Sequence, residues 1–126
     1  MQTAAGQTIG LDFGTTNTVA ALAQAGGAAD LVAFGGDQGS PVFRSALCFW
    51  QDDAVRGGIA HEAGPWAIAE YLDFPLGSRF IQSFKSIAAS PLFEHASVFT
   101  KRLRFEELGH MFLDRLIAHA DGALDT

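Results

Sequence analysis

A chain of 126 residues is the length of one small domain, and 48% apolar with 17% charged residues describes a globular chain with a core to bury, not a disordered one. A formal charge of -6 and the lack of a basic run argue against a nucleic-acid surface, and any bound polyphosphate would need metal charge to offset the protein's own acids. The single cysteine, Cys48, excludes an internal disulfide and a multi-cysteine metal site, and its apolar run predicts a buried small hydrophobe.

Met1 to Gln7 has neither the basic start nor the apolar core of a signal peptide, and no apolar run approaches about 18 residues, so the expected location is cytoplasmic. In the stretch that follows, Ile9, Leu11 and Phe13 alternate with Gly10, Asp12 and Gly14. A strand there puts three apolar side chains on one face and a lone carboxylate between two glycines on the other. Gly14-Thr15-Thr16-Asn17 is turn chemistry, and Thr18 to Ala23 runs back as the second arm of a hairpin. A tip with exposed N–H groups, two hydroxyls and no large side chain suits a phosphate, and the neighbouring acid suits a hydrated metal. Together they point to a nucleotide. Asp12-Phe13-Gly14 also spells the metal-binding triplet of protein kinases, but only eleven residues precede it, too few for the glycine-rich lid, strand lysine and catalytic loop those enzymes require.

Farther on, Gln24 to Asp30 reads as a turn, Leu31 to Phe34 as a short strand and Gly35 to Pro41 as a loop without a dinucleotide fingerprint. Ser45 to Trp50 is a strand too apolar on both faces to lie at a surface edge, and Ala54 to Gly58 is expected to form a short strand leading into Ile59–Ala63. Pro65 to Leu72 is expected to be a helix opened by its proline, with Trp66, Ala69 and Leu72 on one face. His61-Glu62 lacks the second histidine of a zinc helix and reads as a solvated face; the four histidines show no metal-ligand spacing. Positions 80, 81, 84, 87 and 88 fit a helical stripe that leaves Lys85 beside two serines. Lys101, Arg102 and Arg104 read as a solvated approach to the clearest helix, Phe105 to Ala120, whose apolar face is 105, 108, 112, 113, 116, 117 and 120. Glu106 and Glu107 in its first turn, with Arg115 and His119 near its end, match the helix dipole.

Ile9-Gly10-Leu11-Asp12-Phe13-Gly14-Thr15-Thr16-Asn17 resembles the first phosphate-binding hairpin of the actin, sugar-kinase and heat-shock-chaperone ATPase superfamily. Within its heat-shock-chaperone (DnaK/YegD-type) branch, Leu72-Asp73-Phe74-Pro75 through Phe80 and then Ser83-Phe84-Lys85-Ser86 is similar to the shorter bacterial YegD-type chaperone relatives. Asp37-Gln38-Gly39 and Arg44-Ser45 follow the chaperone order after the third strand, although Pro41 precedes the arginine, and Ser86-Ile87-Ala88-Ala89 departs from the usual segment after the lysine. The resemblance implies an α/β fold, an incomplete ribonuclease-H-like, actin-type ATPase lobe with a mixed sheet whose N-terminal strands are antiparallel. It implies a lead-in over 1–8, first-lobe strands over 9–50, a small-lobe insert over 51–104 and a returning helix over 105–126.

Its implied ligands are ATP or ADP with Mg2+. Gly14, Thr15, Thr16 and Asn17 would hold phosphates, Asp12 would order water around magnesium, and Lys85, with Asp12 the expected catalytic pair, would stabilise charge at the terminal phosphate. Client proteins or co-chaperones would be the partners, with no nucleic acid and no membrane. The second phosphate hairpin and adenosine segment of the superfamily are not in these 126 residues, so the chain is expected to be an N-terminal fragment, inactive alone. A sugar-kinase fragment and an actin-like filament protein are the alternatives.

Overall fold

The computed structural model describes residues 7–24, 26–35, 39–82 and 96–124. It is a mixed α/β arrangement in which every strand pair among the described residues is antiparallel. Strands β1 (Gln7–Phe13) and β2 (Asn17–Gln24) form the expected hairpin, with Phe13 opposite Thr18 and Gln7 opposite Gln24. On the other edge of β2 lie β3 (Ala29–Leu31) and β4 (Phe43–Arg44). They are two pieces of one edge, separated by an excursion in which Phe34 bridges Ser40. The strand expected over Leu31–Phe34 therefore starts earlier and leaves the sheet after Val32, whose N–H bonds Ala20.

The chain bends at Ser45 and enters β5 (Ala46–Gln51), the middle strand of a second sheet between β6 (Ile59–Ala63) and β7 (Ser78–Gln82). Residues 46–49 are almost wholly buried, as an apolar run in a central strand requires, and Cys48 is a buried thiol whose pKa burial pushes up. This sheet runs across residue 50, where the first expected segment ends.

Two expectations fail here. Ala54–Gly58 is a turn, because Gly57 and Gly58 both take positive φ and the Asp52 carboxylate accepts from the Ala54 N–H. Phe80–Gln82 belong to a strand and not a helix, since Ile81 and Phe80 pair with Leu47 and Cys48 of β5. A short apolar stretch fits either period, and sheet pairing decided it. The remainder of that expected helix, Lys85 included, lies outside the described residues.

Helix α1 (Gly64–Asp73) opens with Pro65 as expected, but it buries Gly64 and Ala67, whereas Ala69 and Leu72 face solvent. A small hairpin, β8 (Ala96–Val98) and β9 (Lys101–Leu103), leads into α2 (Phe105–His119). Leu108, Phe112 and Leu116 of α2 are buried on the predicted face, while Leu113 is 39% exposed at its margin. Among the described residues no helix is long and apolar enough to cross a membrane.

The core meets at Phe43, wholly buried on β4. Phe34 and Phe112 lie 4.9 and 5.4 Å away between ring centroids, the latter edge-on. Gly64 starts α1 against this ring at φ +62°, where a Cβ would fall 2.5 Å from Phe43. Glycine is required there on both counts.

Candidate functional site

Antiparallel register sorts the first sheet into two faces. Ile9, Phe13, Thr18, Ala20 and Phe43 point to the core, and the Phe13 ring packs tilted against Phe112 of α2, 5.5 Å between centroids. Gly10, Asp12, Asn17, Val19 and Arg44 share the outer face. Asp12, Thr15, Thr16, Asn17 and Arg44 are all exposed. A Cβ added to Gly10 would meet nothing within 4 Å, so the surface beside the Asp12 carboxylate is open.

The tip is short and tightly held. Gly14 N–H donates to the Asn17 carbonyl at 2.9 Å, and a Cβ at Gly14 would sit 2.5 Å from that same oxygen. Gly14 thus contributes close approach, not a free donor: the expectation that its N–H binds phosphate is corrected. Thr15 and Thr16 make no backbone N–H bond among the described residues, and both amides remain open for an anion.

Behind the tip stands Ser45, at the bend between the two sheets. Its N–H donates to the Thr16 carbonyl at 2.8 Å and its hydroxyl donates to the Gly14 carbonyl at 2.8 Å. The only Ser45 hydroxyl proton being used, the 2.9 Å contact with Thr18 Oγ1 runs from threonine to serine. Both hydroxyl side chains are buried, so the turn is fixed from below by a satisfied polar network while its upper surface stays bare.

Sequence reasoning did not single out Ser45 or Arg44 for the site. Arg44 is directly opposite Asn17, which puts their Cβ atoms about 5 Å apart on the outer face. It brings a cation to the hairpin end in an otherwise acidic chain. Lys85 lies outside the described residues, so it is not placed relative to Asp12.

A second polar cluster joins β6 to α2. Glu62, expected to be solvated, is only 16% exposed and accepts from Arg115 Nη2 at 2.7 Å and contacts His119 Nε2 at 2.9 Å. Trp66 of α1 stacks on the His119 ring, 3.6 Å between centroids and 7° between planes. Burial alone would raise the Glu62 pKa, but hydrogen bonds from Arg115, His119 and the Ala63 N–H outweigh it and hold the carboxyl below its ordinary range. Its partners saturate it, which makes the cluster a clasp between elements and leaves the hairpin as the open site.

Asp12 presents an exposed carboxylate on the outer face, beside Gly10. Among the described residues no group of three or more His, Cys, Asp or Glu side chains forms a dedicated metal cage. No protein-family model matches the chain, and no curated protein is significantly similar to it.

Proposed function

We propose that the hairpin spanning Asp12 to Asn17 is the first phosphate loop of an actin-type ATPase lobe, of the heat-shock-chaperone-like kind, and that it binds ATP or ADP with Mg2+. One observation carries this reading: an exposed carboxylate and an exposed arginine share the outer face beside a turn with two open backbone amides and no large side chain, which Ser45 and Thr18 brace from beneath. Thr15 and Thr16 would donate to phosphate oxygens through N–H and hydroxyl groups, Asn17 would donate through its side-chain amide, and Arg44 would neutralise phosphate charge. Asp12 would accept hydrogen bonds from magnesium-bound water. The metal supplies charge neutralisation between the phosphates.

Lys85 would stabilise charge at the terminal phosphate, where a positioned cation acts on the transition state more than on binding. Its replacement by alanine, in protein that carries the second phosphate loop, should therefore lower single-turnover hydrolysis far more than ATP affinity. Equal rates would reject that role. Client proteins or co-chaperones are the partners this reading implies.

The binding claim is tested on the chain itself by amide NMR during titration with MgATP. The Thr15 and Thr16 amides should shift most, and Asp12→Asn should weaken the magnesium dependence of that shift. If millimolar MgATP leaves both amides unmoved, or moves them equally with and without magnesium, the proposal is lost.

A further inference from the structure

At the opposite end of β5 from the hairpin, a cavity of about 340 Å³ opens between β5, β6, the 52–58 turn, the β8–β9 hairpin and α2. Phe49 lies four residues beyond Ser45, about 13 Å along the strand at ~3.3 Å per residue, so this is separate from the nucleotide proposal. Its body is apolar: Phe49, Ile59, Val98, Leu103 and Met111 line it, and Phe49 and Val98 are wholly buried.

Two cations stand in that lining, Arg56 from the turn and Lys101 from β9. Neither makes an ion pair among the described residues. Lys101 Nζ lies 2.9 Å from where a Cβ on Gly57 would be, so its ammonium rests over the residue beside Arg56. The turn presenting Arg56 is fixed: Asp52 N–H donates to the Gly58 carbonyl, Val55 N–H to Asp52 and Gly58 N–H to Val55. Lys101 is exposed ahead of α2, as its sequence setting suggests, and it also lines this cavity.

The lining holds one carboxylate, Glu107, whose Oε1 accepts from the Arg104 N–H at 3.1 Å as part of the α2 cap. Two cations against one carboxylate leave a positive balance in a chain whose formal charge is -6. The His61 wall is uncharged near neutrality, because burial and then Arg115 push its pKa down. An apolar interior of this size with a few placed polar groups is the usual form of a small-molecule site.

We propose that this cavity binds a small amphipathic anion, an apolar body of aromatic or branched aliphatic character seated on Phe49, Ile59 and Met111 with a single carboxylate held by Arg56 and Lys101. Arg56 and Lys101 are both exposed at the cavity mouth, so the ion pair, screened by water, supplies orientation, and the apolar body supplies most of the affinity.

The probe is 3-phenylpropionate, titrated into the isotopically labelled chain, with 3-phenylpropanol as its neutral counterpart. The acid should shift amides of Ile59, His61, Val98 and Leu103 while leaving Thr15 and Thr16 in place, and the alcohol should bind at least about tenfold more weakly, a difference of about 1.4 kcal/mol. R56Q/K101Q, checked for an unchanged spectrum elsewhere and an unchanged melting temperature, should weaken the acid by a similar factor without affecting the alcohol. Should that double variant disturb the fold, R56Q and K101Q are tested singly. Equal affinity for acid and alcohol, undiminished acid binding without the cations, or no localised shift at millimolar probe would each overturn the proposal.

Discussion

Ser45 has three bonding duties at one backbone bend, and its hydroxyl cannot be replaced by water because Thr18 beneath it is wholly buried. Ser45→Ala should leave the Thr18 hydroxyl and the Gly14 carbonyl short of a partner, costing about 1–3 kcal/mol by urea unfolding. It should also weaken MgATP binding, since the Thr15-Thr16 turn loses its lower support; a variant as stable and as competent as the parent would show that the network is incidental. Gly64 poses a steric test. Gly64→Ala places a methyl against the Phe43 ring at a left-handed backbone position and should destabilise by at least about 2 kcal/mol. If overlap is the cause, Phe43→Leu should cost less in the Gly64→Ala background than alone, a coupling a double-mutant cycle reads directly.

Among the elements, β6 and α2 are joined by Glu62, Arg115 and His119, with α1 added through Trp66. The Glu62 carboxyl titrates lower in the folded chain than its ordinary value of 4.5, so the stability it contributes is present above that value and lost as pH falls through the folded pKa. Glu62→Gln should therefore cost about 2 kcal/mol at pH 7 and flatten the acid limb of the stability curve below about pH 4.5. A parallel acid limb in the variant would place its origin elsewhere. His61, also depressed, begins to act higher, as pH falls below 6.5, and the same glutamine substitution, by removing the Glu62 charge that raises it, should steepen that earlier slope. None of this clasp was legible from spacing: Arg115 and His119 lie 53 and 57 residues from Glu62. The hairpin and α2 were legible, because alternation over 9–13 and a 3.6-residue stripe over 105–120 are local records of which face is buried. Strand β7 was not, since Phe80 and Ile81 satisfy both periods until β5 supplies their partners. The brace under the hairpin was likewise invisible, because a serine 31 residues from Gly14 carries no local signal.

At the scale of the whole molecule, the acidic surface and one apolar projection act against each other. Leu72, Phe74 and Leu76 at and beyond the end of α1 are 70%, 63% and 101% exposed, a run of large side chains with little cover among the described residues. Near pH 7 the formal charge of -6 opposes contact between copies, but the repulsion vanishes as pH approaches the pI of about 4.9. That value lies above the range in which Glu62 is lost, so association should begin while the chain is still folded. Light scattering should rise between about pH 6 and 5 with near-native ellipticity, and added salt should raise it at pH 7 by screening. F74S/L76S should suppress both rises without shifting the melting temperature, because neither side chain is in the core. If that variant associates as readily as the parent, the adhesive surface lies elsewhere, and a lysine placed in turn on the sheet edges, β1 and β3–β4 of the first sheet and β6 and β7 of the second, would test them.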